Sequence, residues 1–209
     1  MKLKTLFAAA LLASTSLSQA ANLSFTGNFT YDNDVQRFSF VVGDTSTVTL
    51  RSWSYAGGVN AAGETIARGG FDPILALFAA DGTRLFEQDD ATCGFVAADA
   101  VTNQCYDVNY QTLLSAGTYY VTVQQYHNRS RVALSEGFFF EGEQYRNFRN
   151  GFVDYVGDKR DAHWAFDILN VNSAEQEPPS DVPEPMSLAL LAAGTAGLAA
   201  TRRRRTRRA

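Results

Sequence analysis

Short runs of alternating apolar and polar residues recur through the middle of the chain, and they constrain its fold more than any other feature. In VQRFSFVV, for example, Phe38, Phe40 and Val42 occupy every second position. Alternation over about five to eight residues is typical of a β-strand with one buried face. Each such run is therefore predicted to be a strand, and the others are STVTL at 46–50, TYYVTV at 118–123 and HWAFDI at 163–168.

Turn-forming residues separate these runs and predict how the strands connect. Asp81-Gly82, between ILALFAA and TRLFEQ, favours a hairpin because this pair tolerates positive φ angles. The run at 74–78 is continuously apolar, which predicts a strand buried on both faces, with a short helix as the less favoured alternative. About seven to nine short strands with such turns predict an all-β fold, an antiparallel β-sandwich of jelly-roll-like form.

The first 20 residues have the features of a secretory signal peptide. Two lysines precede a short apolar run at 6–13, and SQA at 18–20 offers the small residues that a signal peptidase recognises. The run is too short and wrongly flanked for a membrane span. We therefore expect residues 1–20 to be removed on export and the mature chain to begin near Ala21.

Charge is distributed unevenly between the body of the chain and its ends. The sequence has 18 basic and 22 acidic residues, but two lysines lie in the predicted signal peptide and six arginines lie in the last nine positions. Residues 21–182 therefore hold 10 basic and 21 acidic residues, a net charge of −11. Such a body repels phosphates and polyanions, which argues against nucleic-acid binding.

The C-terminal tail has three parts in a defined order. An acidic, proline-rich linker at 172–182 leads to Pro183-Glu184-Pro185, then to a mostly apolar segment at 186–201 and a cluster of arginines. Proline lacks a backbone N–H and biases the residue before it toward extended geometry, so Glu184 is expected in an extended form. The linker separates this tail from a single predicted domain at 21–171, which is long enough for a real core.

The apolar segment of the tail predicts a transmembrane helix of marginal length. A helix over 186–201 would be about 24 Å long, which is shorter than the ~30 Å hydrocarbon core of a bilayer. The arginines that follow would stay on the cytoplasmic side. A weakly held span beside Pro183-Glu184-Pro185 suits a sorting and processing signal, and an ordinary membrane anchor is the alternative.

The two cysteines favour a disulfide. Cys93 and Cys105 are the two cysteines of the sequence, and they lie close together in a domain that is predicted to be exported. An even number of cysteines in an exported domain favours a disulfide. A catalytic or metal-binding pair is the competing interpretation.

Three common motifs of enzymes are absent from the sequence. G-x-S-x-G, H-E-x-x-H and phosphate-binding glycine loops do not occur. The two imidazoles are His127 and His163, and a histidine that begins a predicted strand, as His163 does, is more often structural than catalytic. We therefore expect no enzyme activity and no required cofactor.

Acidic residues in the predicted loops suggest a calcium site. Calcium takes about six to eight oxygen ligands from carboxylates and carbonyls, and no consecutive EF-hand loop exists, so the fold would have to assemble the site. The proposed ligands are Asp72, Asp89 and Asp90. Acidic loop residues are also common turn formers, which is the alternative.

Aromatic residues suggest a sugar-stacking surface as a second candidate site. Trp53, Tyr55 and Tyr145 would supply rings for a glycan, and Arg146 would donate hydrogen bonds. Packing within the core or the loops is the alternative explanation for these rings.

Three segments of the body resemble a known family. NDVQRFSFVVGDTSTVTL, FDPILALFAADGTRL and LLSAGTYYVTV resemble the core signatures of bacterial pre-peptidase C-terminal-type β-sandwiches. Together with RSWSYAGGVNAAGETIARGGFDPILALF and HWAFDI, they are similar to the DVUA-type family of secreted proteins over about residues 25–169. The resemblance implies a secreted, surface-associated protein and supplies no catalytic residues.

The tail resembles a PEP-CTERM sorting signal, since the Pro-Glu-Pro motif, the span and the basic cluster occur in that order. This resemblance implies processing by an exosortase-type membrane enzyme near Pro183-Glu184-Pro185, followed by residence at the cell surface or in the extracellular matrix. A structural or adhesive role in an exopolysaccharide matrix is the expected function. A surface-anchored carbohydrate-binding module is the second hypothesis, and a secreted hydrolase is the third.

Overall fold

The computed structural model of the protein describes residues 20–140, 142, 152–154 and 156–178. Within these residues the chain is all-β, and a short 3-10 turn at Leu134–Glu136 is the one helical element. The strands are β1 (Ala21–Asn28), β2 (Val35–Val42), β3 (Ser46–Ser52), β4 (Gly58–Val59), β5 (Thr65–Ile66), β6 (Pro73–Ala79), β7 (Arg84–Gln88), β8 (Asn109–Leu114), β9 (Gly117–Gln125), β10 (Phe152–Val153), β11 (Lys159–Arg160), β12 (His163–Val171) and β13 (Ser173–Gln176).

Two antiparallel sheets make up the body of the domain. One has four strands in the order β1-β12-β3-β8, and the other has five in the order β13-β2-β9-β6-β7. Except at the β6–β7 hairpin, the chain passes from one sheet to the other between successive long strands. This order agrees with the predicted jelly-roll-like sandwich. Two further ribbons, β4-β5 and β10-β11, lie outside the main sheets.

The two sheets face each other across an aromatic core. Phe38 of β2 is fully buried, and its ring centroid lies 5.5 Å from that of Phe166 and 5.8 Å from that of Trp164, both on β12. Burial of each such side chain stabilises the fold by about 1.5–3 kcal/mol. The predicted alternation is confirmed, because the buried residues include Phe38, Phe40, Val42, Val48, Leu50, Val121, Val123, Trp164, Phe166 and Ile168, while Tyr119 is partly buried.

β6 is buried on both faces, as its continuous apolar sequence predicts. Ile74 is fully buried although its neighbour Leu75 already faces the core. The segment that follows β9 returns along the edge of β7, where Arg84 N donates to Val132 O over 2.9 Å. Further along that segment, Leu134 and Phe138 lie opposite Val35 and Thr122 of the sheet, and we attribute the burial of the outer face to this part of the chain.

The Asp81-Gly82 turn joins β6 to β7, as predicted. The two strands pair antiparallel, Gly82 has a φ of 83°, and Asp81 Oδ1 accepts a hydrogen bond of 2.9 Å from Thr83 N. Because the strands run in opposite directions, the residues just before β6 lie beside the residues just after β7.

The linker begins later than the sequence indicated. Its predicted start at 172 is corrected, because Ser173–Gln176 form β13 and pair with β2 at the edge of the five-stranded sheet. Glu177 N also donates to Arg37 O over 2.8 Å. An edge strand offers backbone groups that pair with an added strand whatever its side chains, which a hydrophobic pattern does not reveal. The folded domain therefore extends through Glu177.

The described residues contain no helix with the length and apolar character needed to cross a membrane. The predicted span at 186–201 lies outside the described residues, as do the Pro-Glu-Pro motif at 183–185 and residues 1–19 of the predicted signal peptide.

Gly70 occupies a position with no room for a side chain. Its N–H donates to Ser54 O over 2.9 Å, and a Cβ at this position would lie 2.4 Å from His163 O and 2.6 Å from Ser54 O. Both atoms belong to the backbone and cannot rotate away. The close approach holds the residues before β6 against β12.

We predict that Gly70→Ala lowers the free energy of unfolding by about 3 kcal/mol, because the added methyl group separates two backbones. Urea denaturation of the exported protein measures the change. Gly63→Ala is the control, since Gly63 has a φ of 82° and no atom within 4 Å of an added Cβ, so its cost is conformational, about 1 kcal/mol. Equal losses in the two variants would contradict the steric account.

Candidate functional site

Three carboxylates meet at the ends of β6 and β7. Asp72 directly precedes β6, and Asp89 and Asp90 directly follow β7. The antiparallel hairpin places these positions side by side, and one carboxylate oxygen from each residue lies within 4.8 Å of the others. We refer to Asp72, Asp89 and Asp90 as the acidic cluster. The structure thus brings together the three residues that the sequence analysis had named as calcium ligands.

Asp72 is the most buried member of the acidic cluster. Only 3% of the residue is exposed, and its Oδ1 has no hydrogen-bond partner within the described part of the chain. Burial, reinforced by the charges of Asp90 and Asp89, raises the pKa of Asp72 to about 9. An ionised carboxylate in such a place is costly unless a cation or hydrogen-bond donors compensate it.

Asp89 and Asp90 have different surroundings. Arg129 forms an ion pair with Asp89 Oδ2 and a second one, of 3.0 Å, with Glu87 Oε1. Asp89 Oδ1 is buried and has no partner among the described residues. Burial raises the pKa of Asp89 despite Arg129, and partial burial followed by the charge of Asp89 raises the pKa of Asp90 to about 7. Asp90 is exposed, so the cluster is open to solvent on one side.

Two other acidic loop residues are committed to hydrogen bonds within the protein. Asp107 accepts from Ser52 Oγ at 2.6 Å and from Ala56 N at 2.8 Å. Asp99 accepts from both Nε and Nη2 of Arg68, at 2.6 and 2.8 Å. These carboxylates hold loops in place and have little capacity left for a metal ion. The sequence alone did not distinguish them from the acidic cluster, because all of them lie in loops.

Tyr55, one of the four residues of the predicted glycan-binding set (Trp53, Tyr55, Tyr145 and Arg146), is not available to a ligand. This residue is fully buried, its hydroxyl donates to Asp154 Oδ2 over 2.6 Å, and the Arg160 guanidinium lies 3.6 Å from its ring centroid. Burial and the hydrogen bond with Asp154 raise the pKa of Tyr55. Tyr55 is therefore a core residue, and its proposed role as a sugar-stacking platform is corrected.

The other members of the glycan-binding set are not brought together as a platform by the described residues. Trp53 Nε1 donates to Asp167 Oδ2 over 2.8 Å, and the Arg51 guanidinium lies 4.1 Å from the Trp53 ring centroid. The ring is thus already engaged by residues of the same sheet. Tyr145 and Arg146 lie outside the described residues.

Cys93 and Cys105 form a disulfide, with 5.3 Å between their Cα atoms. The predicted pairing agrees with the structure, in which these cysteines are not free for catalysis or metal binding. The bond closes the loop that follows the acidic cluster, and Ala91 N donates to Asp107 O over 3.0 Å within the same region.

Gln124 is a candidate residue that the sequence analysis missed. It is fully buried, and neither its Oε1 nor its Nε2 has a hydrogen-bond partner within the described ranges. The alternation of β9 places Gln124 on the face opposite Val123, where solvent would be expected. Its burial depends on other parts of the chain that cover that face. The local sequence pattern of β9 does not predict this cover.

His163 has a structural role. Its Nδ1 contacts Asp161 Oδ1, and its Nε2 lies 3.0 Å from Ala67 O. Both ring nitrogens are therefore engaged within the protein.

Comparison with known proteins identifies the tail. The PEP-CTERM protein-sorting motif matches residues 181–205, a range that includes Pro183, Glu184, Pro185 and the whole apolar segment. No curated protein sequence matches the chain. The motif supports export and sorting to the surface by an exosortase-type system, as the sequence analysis expected. The resemblance of the body to the DVUA-type and pre-peptidase C-terminal-type families stays a prediction.

Asp99 provides a test of the buried carboxylate network. Burial alone would raise the pKa of Asp99, but hydrogen bonds from Arg68 and from the N–H groups of Thr102 and Val101 outweigh it, so the pKa is lowered overall. A lowered folded-state pKa means that the carboxylate stabilises the fold above its unfolded pKa of about 3.9. That contribution is lost as the pH falls from about 4 toward the folded-state pKa.

We predict that Asp99→Asn lowers the free energy of unfolding by about 3 kcal/mol at pH 7, the low end for a buried pair because Arg68 is partly exposed. The difference from wild type should be constant between about pH 5 and 8 and should shrink below about pH 4. Asp44→Asn, at an exposed turn, is the control and should have almost no effect. A loss that does not change on acidification would show that Asp99 acts through packing alone.

We also predict that the exported protein has no free thiol and that replacing both cysteines by serine lowers the free energy of unfolding by about 3 kcal/mol. The physical reason is the larger conformational entropy of the unfolded chain without the cross-link. Thiol labelling without reductant and urea denaturation measure the two effects. Two labelled cysteines in the exported wild type would reject the bond.

Proposed function

We propose that the protein is an exported β-sandwich that an exosortase-type enzyme processes near Pro183-Glu184-Pro185, and that it then resides at the cell surface or in an extracellular polysaccharide matrix as a structural or adhesive component. The observation that carries this proposal is the match of residues 181–205 to the PEP-CTERM protein-sorting motif. The expected signal peptide at 1–20 and the disulfide fit the same route, because disulfides form and persist in oxidising compartments.

The composition of the tail suits a processing signal. The two prolines of the motif restrict their own φ angles and favour extended geometry before each of them, which is the form in which processing enzymes usually take a substrate. The apolar segment is shorter than a bilayer core requires, so the precursor would be held weakly. The arginines fix its orientation with the C-terminus in the cytoplasm.

The end of the folded domain limits where the motif can be presented. Glu177 is still bonded to β2 through Arg37 and Gln36, so only residues 178–182 separate the sheet from Pro183. Five extended residues span at most about 18 Å. The sandwich therefore lies close to the membrane in the precursor, and the enzyme has to reach the motif beside a folded domain.

The proposed role is not enzymatic. His163 is engaged on both ring nitrogens and the two cysteines are joined, so none of these three residues offers a free nucleophile or base. Tyr55 is fully buried and cannot stack on a sugar, which weakens the case for a carbohydrate-binding role. We therefore favour the structural or adhesive role.

We predict that changing Pro183-Glu184-Pro185 to three alanines leaves full-length protein in the membrane fraction, with its arginines attached. The change removes the extended constraint and the acidic residue but keeps the apolar span and its basic flank. Cell fractionation and mass spectrometry of the C-terminus measure the outcome in the native host.

Pro178→Ala with Pro179→Ala is the matched control, because it removes two linker prolines without touching the motif. This control should be processed as wild type is. A plain membrane anchor depends on apolar length and basic flank alone. Identical masses and membrane fractions for wild type and the triple-alanine variant would therefore replace the sorting proposal with an anchored surface domain.

A further inference from the structure

The ends of β6 and β7 carry more carboxyl groups than the neighbouring basic side chains pair with. Arg84 and Arg129 both pair with Glu87, and Arg129 also pairs with Asp89. These two cations match the charges of Glu87 and Asp89. Asp72 and Asp90, the other two members of the acidic cluster, have no ion pair with any described residue. When a divalent cation displaces their protons, their two charges equal the charge of that cation.

Buried oxygens in the acidic cluster also lack hydrogen-bond donors. Asp72 is 97% buried as a residue, since 3% is exposed, and its Oδ1 is unpartnered. Asp89 uses Oδ2 for Arg129 and leaves a buried Oδ1 without a partner among the described residues. Buried polar atoms are nearly always satisfied in native proteins, so oxygens of this kind need an explanation. A coordinated cation supplies one, because it satisfies both their charge and their lone pairs.

Gln124 adds an independent observation. Its register partner on β6 is Ile74, and the ladder continues to Asp72, whose carbonyl oxygen accepts from Tyr126 N over 2.8 Å. Asp72 lies two positions before Ile74, so alternation places Asp72 and Gln124 on the same face of the sheet. Gln124 is fully buried with an unpartnered Oε1, and a carboxamide oxygen is a ligand type that calcium accepts.

We propose that the acidic cluster binds a calcium ion, with Asp72, Asp89 and Asp90 as carboxylate ligands and Gln124 Oε1 as a further oxygen. All of these donors are oxygens, which calcium prefers, whereas zinc favours histidine and cysteine. Magnesium demands near-ideal octahedral geometry and loses its waters reluctantly. Exposed Asp90 leaves a route for the ion to enter and for water to complete its shell. This site is independent of the sorting signal.

The expected affinity is that of an extracellular calcium module, with a Kd of about 10⁻⁴ to 10⁻³ M. A ligand that binds only the native state stabilises it by mass action. Moving the exported, disulfide-bonded protein from EDTA to 10 mM calcium should therefore raise its melting temperature by about 4–8 °C. Equal magnesium should raise it far less. Differential scanning calorimetry measures the shift, and equilibrium dialysis with calcium measures the stoichiometry of one ion per chain.

Two variants identify the ligands. Asp72→Asn should abolish the calcium-dependent shift and should melt in EDTA at or above the wild-type temperature, because the neutral amide removes a buried carboxyl without changing its size. Asp90→Asn, at an exposed position, should weaken calcium binding at least tenfold without disturbing the fold. Asp44→Asn, at the exposed turn between β2 and β3, keeps the full shift and controls for the loss of one negative charge.

Three outcomes would overturn the calcium site. The first is a melting temperature that is the same in EDTA and in calcium. The second is an equal shift with magnesium, which indicates screening of a net-negative protein. The third is a full calcium shift in both Asp72→Asn and Asp90→Asn. None of these results changes the mass or the location of the processed protein, so failure of the calcium site and failure of the sorting proposal are distinguishable.

Discussion

The contact of Phe38 with Phe166 across the two sheets is the interaction on which the rest of the fold depends. Their ring centroids lie 5.5 Å apart, and Phe25, which pairs with Phe166 in the same sheet, lies 4.8 Å from Phe38. β2 and β12 each have a strand on both sides within their own sheets. Because side chains alternate with a period of two, a slip of one residue in either strand would turn these rings to the outside. The aromatic contact therefore fixes the register of both sheets.

Buried carboxylates organise the loops that the core does not reach. Asp167 shows how, since it lies between the core residues Phe166 and Ile168 and therefore points away from the core. It is nevertheless fully buried, and it accepts hydrogen bonds from Ser24 Oγ at 2.6 Å and Trp53 Nε1 at 2.8 Å. One charged group thus ties β1 and the loop after β3 to β12. Loops held this way need neither helix nor strand to be well ordered.

The sequence predicted the parts of this molecule that depend on local periodicity and turn chemistry. The buried faces of β2, β3, β9 and β12, the hairpin at Asp81-Gly82 and the disulfide all follow from patterns within a few residues. The proximity of Asp72 to Asp89 depends on that same hairpin, because its open ends bring the residues before β6 beside those after β7.

What sequence reasoning missed depends on contacts between distant segments. Gln124, Tyr55 and Asp167 all look exposed or surface-directed by pattern, yet each is fully buried beneath chain that arrives from elsewhere. The residues of β13, SAEQ, carry no strand signal of their own, so the sequence pattern predicts linker there. Hydrophobic periodicity indicates which face of a strand packs on the core. It contains no information about which loop will cover the other face.

β13 also determines how the domain would respond to a pulling force. Once the C-terminus is attached to a surface or a polymer, tension enters the fold at Glu177 and reaches β13 first. β13 is a four-residue edge strand bonded to β2 alone, so its hydrogen bonds can open one after another instead of all together. The sandwich behind it is held by the aromatic core and would yield later. The short edge strand would thus detach first under load, and the released residues would lengthen the tether before the core is strained.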